Sequence, residues 1–174
     1  AQRPTRPTLE MCLGITAIAL GMVMAGTGDV DCLRVLRELR WRIDADVTYG
    51  NHMALHSAIG LLFLGGGRAS LGRNKESIAA LLAAFFPRFP AHTADNQYHL
   101  QPLRHLYVLA VAWRGLSVRD ADTGEDVHVP LELELNESVE YPRRHLNAPL
   151  RLNAPCLRPD LDAIKVLRIA SPRY

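Results

Sequence analysis

Between Met11 and Gly28 no side chain carries a charge, and a second, shorter apolar run ends in three consecutive glycines at 65–67. Placing GMVMAGTG (21–28) under GLLFLGGG (60–67) aligns Gly21 with Gly60, Gly26 with Gly65 and Gly28 with Gly67, at a spacing of 39 residues. The alignment extends back to Ala19 over Ala58 and forward, after a short insertion, to CLRVLREL (32–39) over SIAALLAA (77–84). Self-similarity at such a period marks a repeat architecture, and each copy reads as helix, glycine turn, helix.

The first helix of each copy is apolar nearly all round, so it needs cover on every side. Ala17, Ala19 and Gly21 in one copy, and Ala54, Ser57, Ala58 and Gly60 in the other, remove bulk so that neighbouring backbones can approach. That gain outweighs a helix penalty of ~1 kcal/mol for each interior glycine. Gly26, Gly28, Gly65, Gly66 and Gly67 are expected to end the helices in tight reversals, because glycine takes positive φ at no steric cost. The second helix, DCLRVLRELRWRI (31–43), directs Leu33, Leu36, Leu39 or Trp41, and Ile43 inward. Arg34, Arg37, Glu38, Arg40 and Arg42 then stay in solvent. An apolar inner helix paired with an amphipathic outer one predicts a helical-hairpin solenoid, an architecture that needs about three units, so further helices are expected here or upstream.

A third helix is predicted over 98–113, with Leu103, Leu106, Tyr107, Leu109 and Ala110 at helical spacing and Pro102 in its first turn. It would cap the two pairs. Pro87, Pro90, Asp95 and Asn96 make the preceding stretch a loop, and Asp95, Asn96 and Tyr98 read as capping and packing groups for the segment ahead of Leu100. After Arg114 polar and apolar residues alternate, with Asp122, Thr123 and Gly124 as a turn, which predicts a β-hairpin. Val127, Val129, Leu131, Leu133 and Leu135 fall on one face, and His128, Glu132 and Glu134 on the other. Further short strands are expected at 150–153 and 164–169. The chain thus divides into helical repeats over 1–113 and an incomplete β-rich appendage over 114–174, mainly α in its first part and α+β overall.

Composition changes this picture little. Twenty basic and eighteen acidic residues leave a formal net charge of +2, so charge does not imply nucleic acid. Three cysteines without CxxC spacing argue against a disulfide framework or a structural zinc site and fit a reducing compartment. The polar opening AQRPTRPT without an initiator Met, and the ending SPRY, read as a piece of a longer chain. The uncharged run 11–28 approaches spanning length, but its glycines and threonines and the flanking Glu10 and Asp29 favour a buried helix over a membrane span.

The stretches IALGMVMAG (18–26), GLLFLGGGR (60–68) and SIAALLAAFFPRFPAHTADNQYHLQPLRHLYVLA (77–110) resemble the largest-subunit family of the anaphase-promoting complex. The helix pairs also resemble the proteasome/cyclosome repeats shared with two base subunits of the proteasome regulatory particle. The resemblance covers about residues 9–112, with a looser match at DAIKVLRIASPRY, while 114–150 departs from it. It implies a toroid-like helical solenoid that serves as a structural scaffold within a ubiquitin ligase controlling mitosis. The implied partners are the cullin, RING and TPR-type subunits and a coactivator, and the implied location is nuclear and cytoplasmic. The chemistry sits on the cullin and RING subunits, so no catalytic residue, cofactor or metal is carried over. Gly21, Gly26, Gly28, Gly60, Gly65, Gly66 and Gly67 carry over as structural positions, with Thr27 standing opposite Gly66.

Other chemistry reads more weakly. Gly65, Gly66 and Gly67 lack the GK[ST] of a phosphate loop and follow a helix, whose C-terminal carbonyls repel phosphate. His52 and His56 stand four apart without the Glu of HExxH, so a metal-dependent hydrolase needs a distal third ligand. His92, Asp95, His99 and His105 form a polar cluster whose conceivable nucleophiles are Cys32, Ser57 and Ser77. The arginine stripe 34, 37, 40, 42 is a solvated face first, and a nucleic-acid-binding surface only as an alternative.

Overall fold

The computed structural model describes residues 3–95, 100–136 and 149–173. It consists of two compact units, Ala1–Ala112 and Trp113–Tyr174.

Four α-helices build the first unit: α1 (Arg6–Val23), α2 (Val30–Arg40), α3 (Tyr49–Leu62) and α4 (Lys75–Ala84). Their starts follow local chemistry. The Asp29 carboxylate accepts the Cys32 N–H at 2.8 Å, and the Asn74 side chain accepts the Ser77 N–H at 2.7 Å. Thr48 and Asn51 exchange a reciprocal capping box at the start of α3. Each such cap contributes ~0.5–2 kcal/mol by satisfying donors the helix itself leaves open. α1 runs along α3, α2 also packs on α3, and α4 packs on a 3₁₀ helix, Gln101–Ala110. One core gathers Ala17, Cys32, Leu36, Leu55, Ala58 and Leu62, and a second gathers Ala25, Leu61, Leu71 and Ala110.

The repeat is therefore present as helix, turn, helix in both copies, and the insertion after Arg68 forms a short strand, β1 (Ala69–Leu71), paired with β2 (Val111–Trp113). No strand was expected in the helical region. The capping helix over 98–113 needs correction: the segment is 3₁₀ rather than α and gives way to β2 at Val111. The reason lies in its period. With three residues per turn, Arg104, Tyr107 and Ala110 fall in one line. Tyr107 and Ala110 join the core with Phe85, while Leu103 and Leu109 of the predicted face are exposed. Tyr98 and Asn96 lie outside the described residues.

A second correction concerns α2. It stops at Arg40, so Trp41 and Ile43 leave the helix and stand exposed rather than inward. Nor is α1 covered on every side: Leu9, Met11, Ile15 and Val23 are exposed within this chain. Its length and mean hydropathy of 1.3 would let it cross a membrane. Here it carries Glu10, buried and ion-paired with Arg42, and lies against α3.

In the second unit β3 (Gly115–Leu116) pairs with β8 (Cys156–Leu157), and β4 (Val118–Arg119) forms a hairpin with β5 (Asp126–Val127). Gly124, at φ 71°, supplies the left-handed residue the DTG turn called for. β6 (Pro130–Leu135) is the centre of an antiparallel sheet between β7 (Leu150–Asn153) and β9 (Ile164–Ile169). Both outer strands lie where alternation predicted them. Val129, Leu131 and Leu133 face the core, and Leu131 sits opposite both Leu152 and Ile169. On the other face Glu132 pairs with Arg151 at 3.1 Å and Glu134 with Arg168. The part of the alternating stretch beyond Asn136 lies outside the described residues.

Candidate functional site

The glycines of the repeat do different work in the two copies. At Gly21 an added Cβ would stand 2.7 Å from the Ala58 Cα, so α1 and α3 approach through a missing side chain. At Gly14 a Cβ would touch the Ala54 Cβ at 3.5 Å, ordinary contact. At Gly60, the counterpart of Gly21, nothing lies within 4 Å, which corrects the expectation that this glycine packs against a neighbour within the chain.

The turns that follow are built from positive-φ glycines: Gly26 at 76° and Gly28 at 59° in the first copy, Gly65 at 59°, Gly66 at 61° and Gly67 at 78° in the second. Thr27, opposite Gly66, has negative φ and bonds its hydroxyl to the Met24 carbonyl at 2.8 Å. The two turns thus share their ends and differ in the middle. Between the copies the backbone itself makes the link. The Gly26 N–H donates to the Leu61 carbonyl and the Gly28 N–H to the Leu62 carbonyl, each at 3.0 Å. These carbonyls belong to the last turn of α3, where a helix leaves acceptors without internal partners. The glycine turn of one copy therefore caps the inner helix of the next.

Around this core, polar side chains act as fasteners. Arg42, read as a solvated residue of the arginine stripe, instead reaches back to the buried Glu10, with Asp44 beside it at 3.7 Å. The bond to Glu10 holds the guanidinium above its ordinary pKa. Arg104 donates to the carbonyls of Ala84 at 2.9 Å and Phe86 at 2.6 Å, bonds the Arg88 carbonyl, and lies 4.2 Å over the Phe89 ring. It ties the end of α4 and the proline-bearing loop to the 3₁₀ helix, which residue type and spacing did not announce. Asp95 accepts the Ala91 N–H at 2.9 Å and braces that loop.

The residues weighed for chemistry are not assembled. His52 and His56 have ring centroids 6.3 Å apart, and among the described residues no group of three His, Cys, Asp or Glu is placed to hold a metal. Desolvation, then Arg40 and His52, lower the His56 pKa. Cys32 is buried in a core, where desolvation and then Asp29 raise its pKa and keep it a thiol. Ser77 is buried at the start of α4, and His99 lies outside the described residues. In the arginine stripe Arg34 pairs with Asp31 at 2.8 Å and Arg40 stacks over Trp41 at 5.0 Å, so the row is partly occupied within the chain.

Residues 1–112 match the family model described as APC1 fifth domain. The chain is similar to anaphase-promoting complex subunit 1 of Dictyostelium discoideum, 46% identical over 97% of this chain and 7% of that protein. It is also similar to the subunit 1 of Homo sapiens, 45% identical over 95% of this chain and 8% of that protein. A protein of Emericella nidulans named negative regulator of mitosis is 41% identical over 99% of this chain and 8% of its own length. The chain thus spans less than a tenth of each of these relatives.

Proposed function

The chain belongs to the anaphase-promoting complex subunit 1 family, and from that premise we propose that it is a non-catalytic scaffold segment of a multi-subunit ubiquitin ligase acting in mitosis. Its first unit is a stretch of helical-hairpin solenoid over about residues 1–113, and residues 114–174 form a β-rich appendage to it. Its partners are the other subunits of that complex, of cullin, RING and TPR type, with a coactivator, in nucleus and cytoplasm.

The single observation that carries this reading is the backbone link between copies, in which Gly26 and Gly28 cap the end of α3. A scaffold must hold units at fixed spacing, and a helix-to-turn link made of main chain does that without any reactive group. The repeat of 39 residues supplies the means of extending it. Affinity capture of the full-length parent tests the proposal. Co-purification of cullin, RING and TPR-type subunits is expected, and their absence under gentle extraction would sink it.

A further inference from the structure

Two arginines of α2 keep their charge unanswered. Arg34 is ion-paired with Asp31, and Arg42, just past the helix, with Glu10. Between them Arg37 and Arg40 have no carboxylate partner among the described residues. Standing three apart, they are neighbours on the helix surface. Glu38 is set about 100° round the helix from Arg37 and further still from Arg40. Trp41, four residues after Arg37, is 67% exposed, and the Arg40 guanidinium lies 5.0 Å from its ring.

α3, which packs on α2, adds two imidazoles to this surface. His56 is exposed, with its ring 6.3 Å from that of His52. After desolvation, the charges acting on His56 are those of Arg40 and His52, and both lower its pKa. Cationic groups from two helices thus gather around one aromatic ring. Like charges so placed repel, and an anion received among them relieves that repulsion.

The extent of the surface limits the kind of anion. Asp31 lies before it on α2, and Asp44 and Asp46 lie after it. A nucleic-acid backbone, charged every few ångströms, runs on to those carboxylates. A single dianion does not. A phosphoryl group brings three acceptor oxygens to the guanidinium N–H groups, where one carboxylate brings two. The Trp41 ring beside the arginines gives an apolar residue a place to lie.

We propose that Arg37, Arg40, Trp41 and His56 form a docking surface for a phosphorylated serine or threonine of a partner protein, with an apolar residue next to the phosphoryl group seated on Trp41. The arginines and His56 hold the phosphoryl oxygens, and the tryptophan ring selects what flanks them. This is the mode by which arginine clusters read phosphorylated segments. It uses none of the contacts that join the repeat copies, so its failure leaves the subunit capture proposed above unaffected.

Fluorescence anisotropy with the full-length parent tests it. The probes are a short labelled peptide with one phosphoserine between leucines, the same peptide unphosphorylated, and a short single-stranded oligonucleotide. The phosphopeptide is expected to bind about tenfold or more tighter than its unphosphorylated form. Arg37→Gln and Arg40→Gln are each expected to remove that advantage, and Arg34→Gln, whose side chain is held by Asp31, to leave it in place. Circular dichroism checks that each variant keeps its helices. Should Arg40→Gln unfold, Arg40→Lys serves instead, since it keeps the charge but loses the fork and is expected to lower affinity severalfold. Equal affinity for the two peptides, an equal loss from Arg34→Gln, or an oligonucleotide that binds more tightly than the phosphopeptide would overturn the inference.

Discussion

Gly21 and Gly60 occupy one position of the repeat and are identical as letters, yet substitution is expected to move stability in opposite directions. Gly21→Ala forces a methyl to within 2.7 Å of the Ala58 backbone, and overpacking of that kind costs ~1–3 kcal/mol. Gly60→Ala meets no neighbour and gains helix propensity, about 0.5–1 kcal/mol. Urea denaturation of both variants checks the contrast; equal shifts would contradict it. The alignment 21–28 over 60–67 made both glycines visible, but a repeat cannot say which copy is covered, because cover comes from a neighbour and not from the residue. His56 belongs at this scale too. Its pKa in the folded chain lies below the ordinary imidazole value, through desolvation first and then Arg40 and His52. The unfolded chain therefore takes up the proton first, and stability is expected to be full above the ordinary pKa of ~6.5 and to fall as pH drops through the folded value. Denaturation midpoints measured from pH 7.5 to 5 should show that fall, and His56→Gln should flatten it.

At the scale of elements, period decided what could be foreseen. α1, α2, α3 and α4 and the strands β7 and β9 all arise from 3.6- or two-residue patterns, and their positions followed from them. The segment Gln101–Ala110 obeys a period of three, so of the predicted face Tyr107 and Ala110 reach the core while Leu103 and Leu109 stay exposed. Arg104 anchors the segment on backbone carbonyls at 84, 86 and 88 that no residue pattern reveals. Arg104→Lys keeps the charge but cannot fan to three carbonyls and stack on Phe89 together. It is expected to destabilise the first unit by ~1–3 kcal/mol and to raise exchange at the amides of the 3₁₀ helix, as hydrogen exchange would record. Arg42 leaves the solvated stripe for a related reason: α2 ends two residues before it, and a residue past a helix end is free to turn back, here onto Glu10.

For the molecule as a whole, the cores are self-contained. Val129, Leu131, Leu133 and Ala154 share no member with the clusters around Leu36 and Leu61. Leu36→Ala and Leu131→Ala each remove a fully buried side chain and are expected to cost ~2–5 kcal/mol. Amide exchange after Leu36→Ala should accelerate within Ala1–Ala112, and after Leu131→Ala within Trp113–Tyr174. Acceleration spread evenly over both would mean that the two fold as one cooperative body. The chain carries two copies of a unit that by itself hides only part of its apolar surface, and the Dictyostelium discoideum and Homo sapiens relatives are more than ten times as long.

Because the bonds from Gly26 and Gly28 to Leu61 and Leu62 join peptide group to peptide group, exchanging side chains on the facing helices does not delete them; at the donor positions themselves proline would, since it carries no N–H. Helix surfaces on either side can drift in sequence while the pitch from copy to copy stays as it was. What such a joint cannot tolerate is a change in chain count: a residue added or lost between Met24 and Asp29 would shift both donors off their acceptors at once. Insertions should therefore collect where β1 already marks one, beyond the joint, and not inside it.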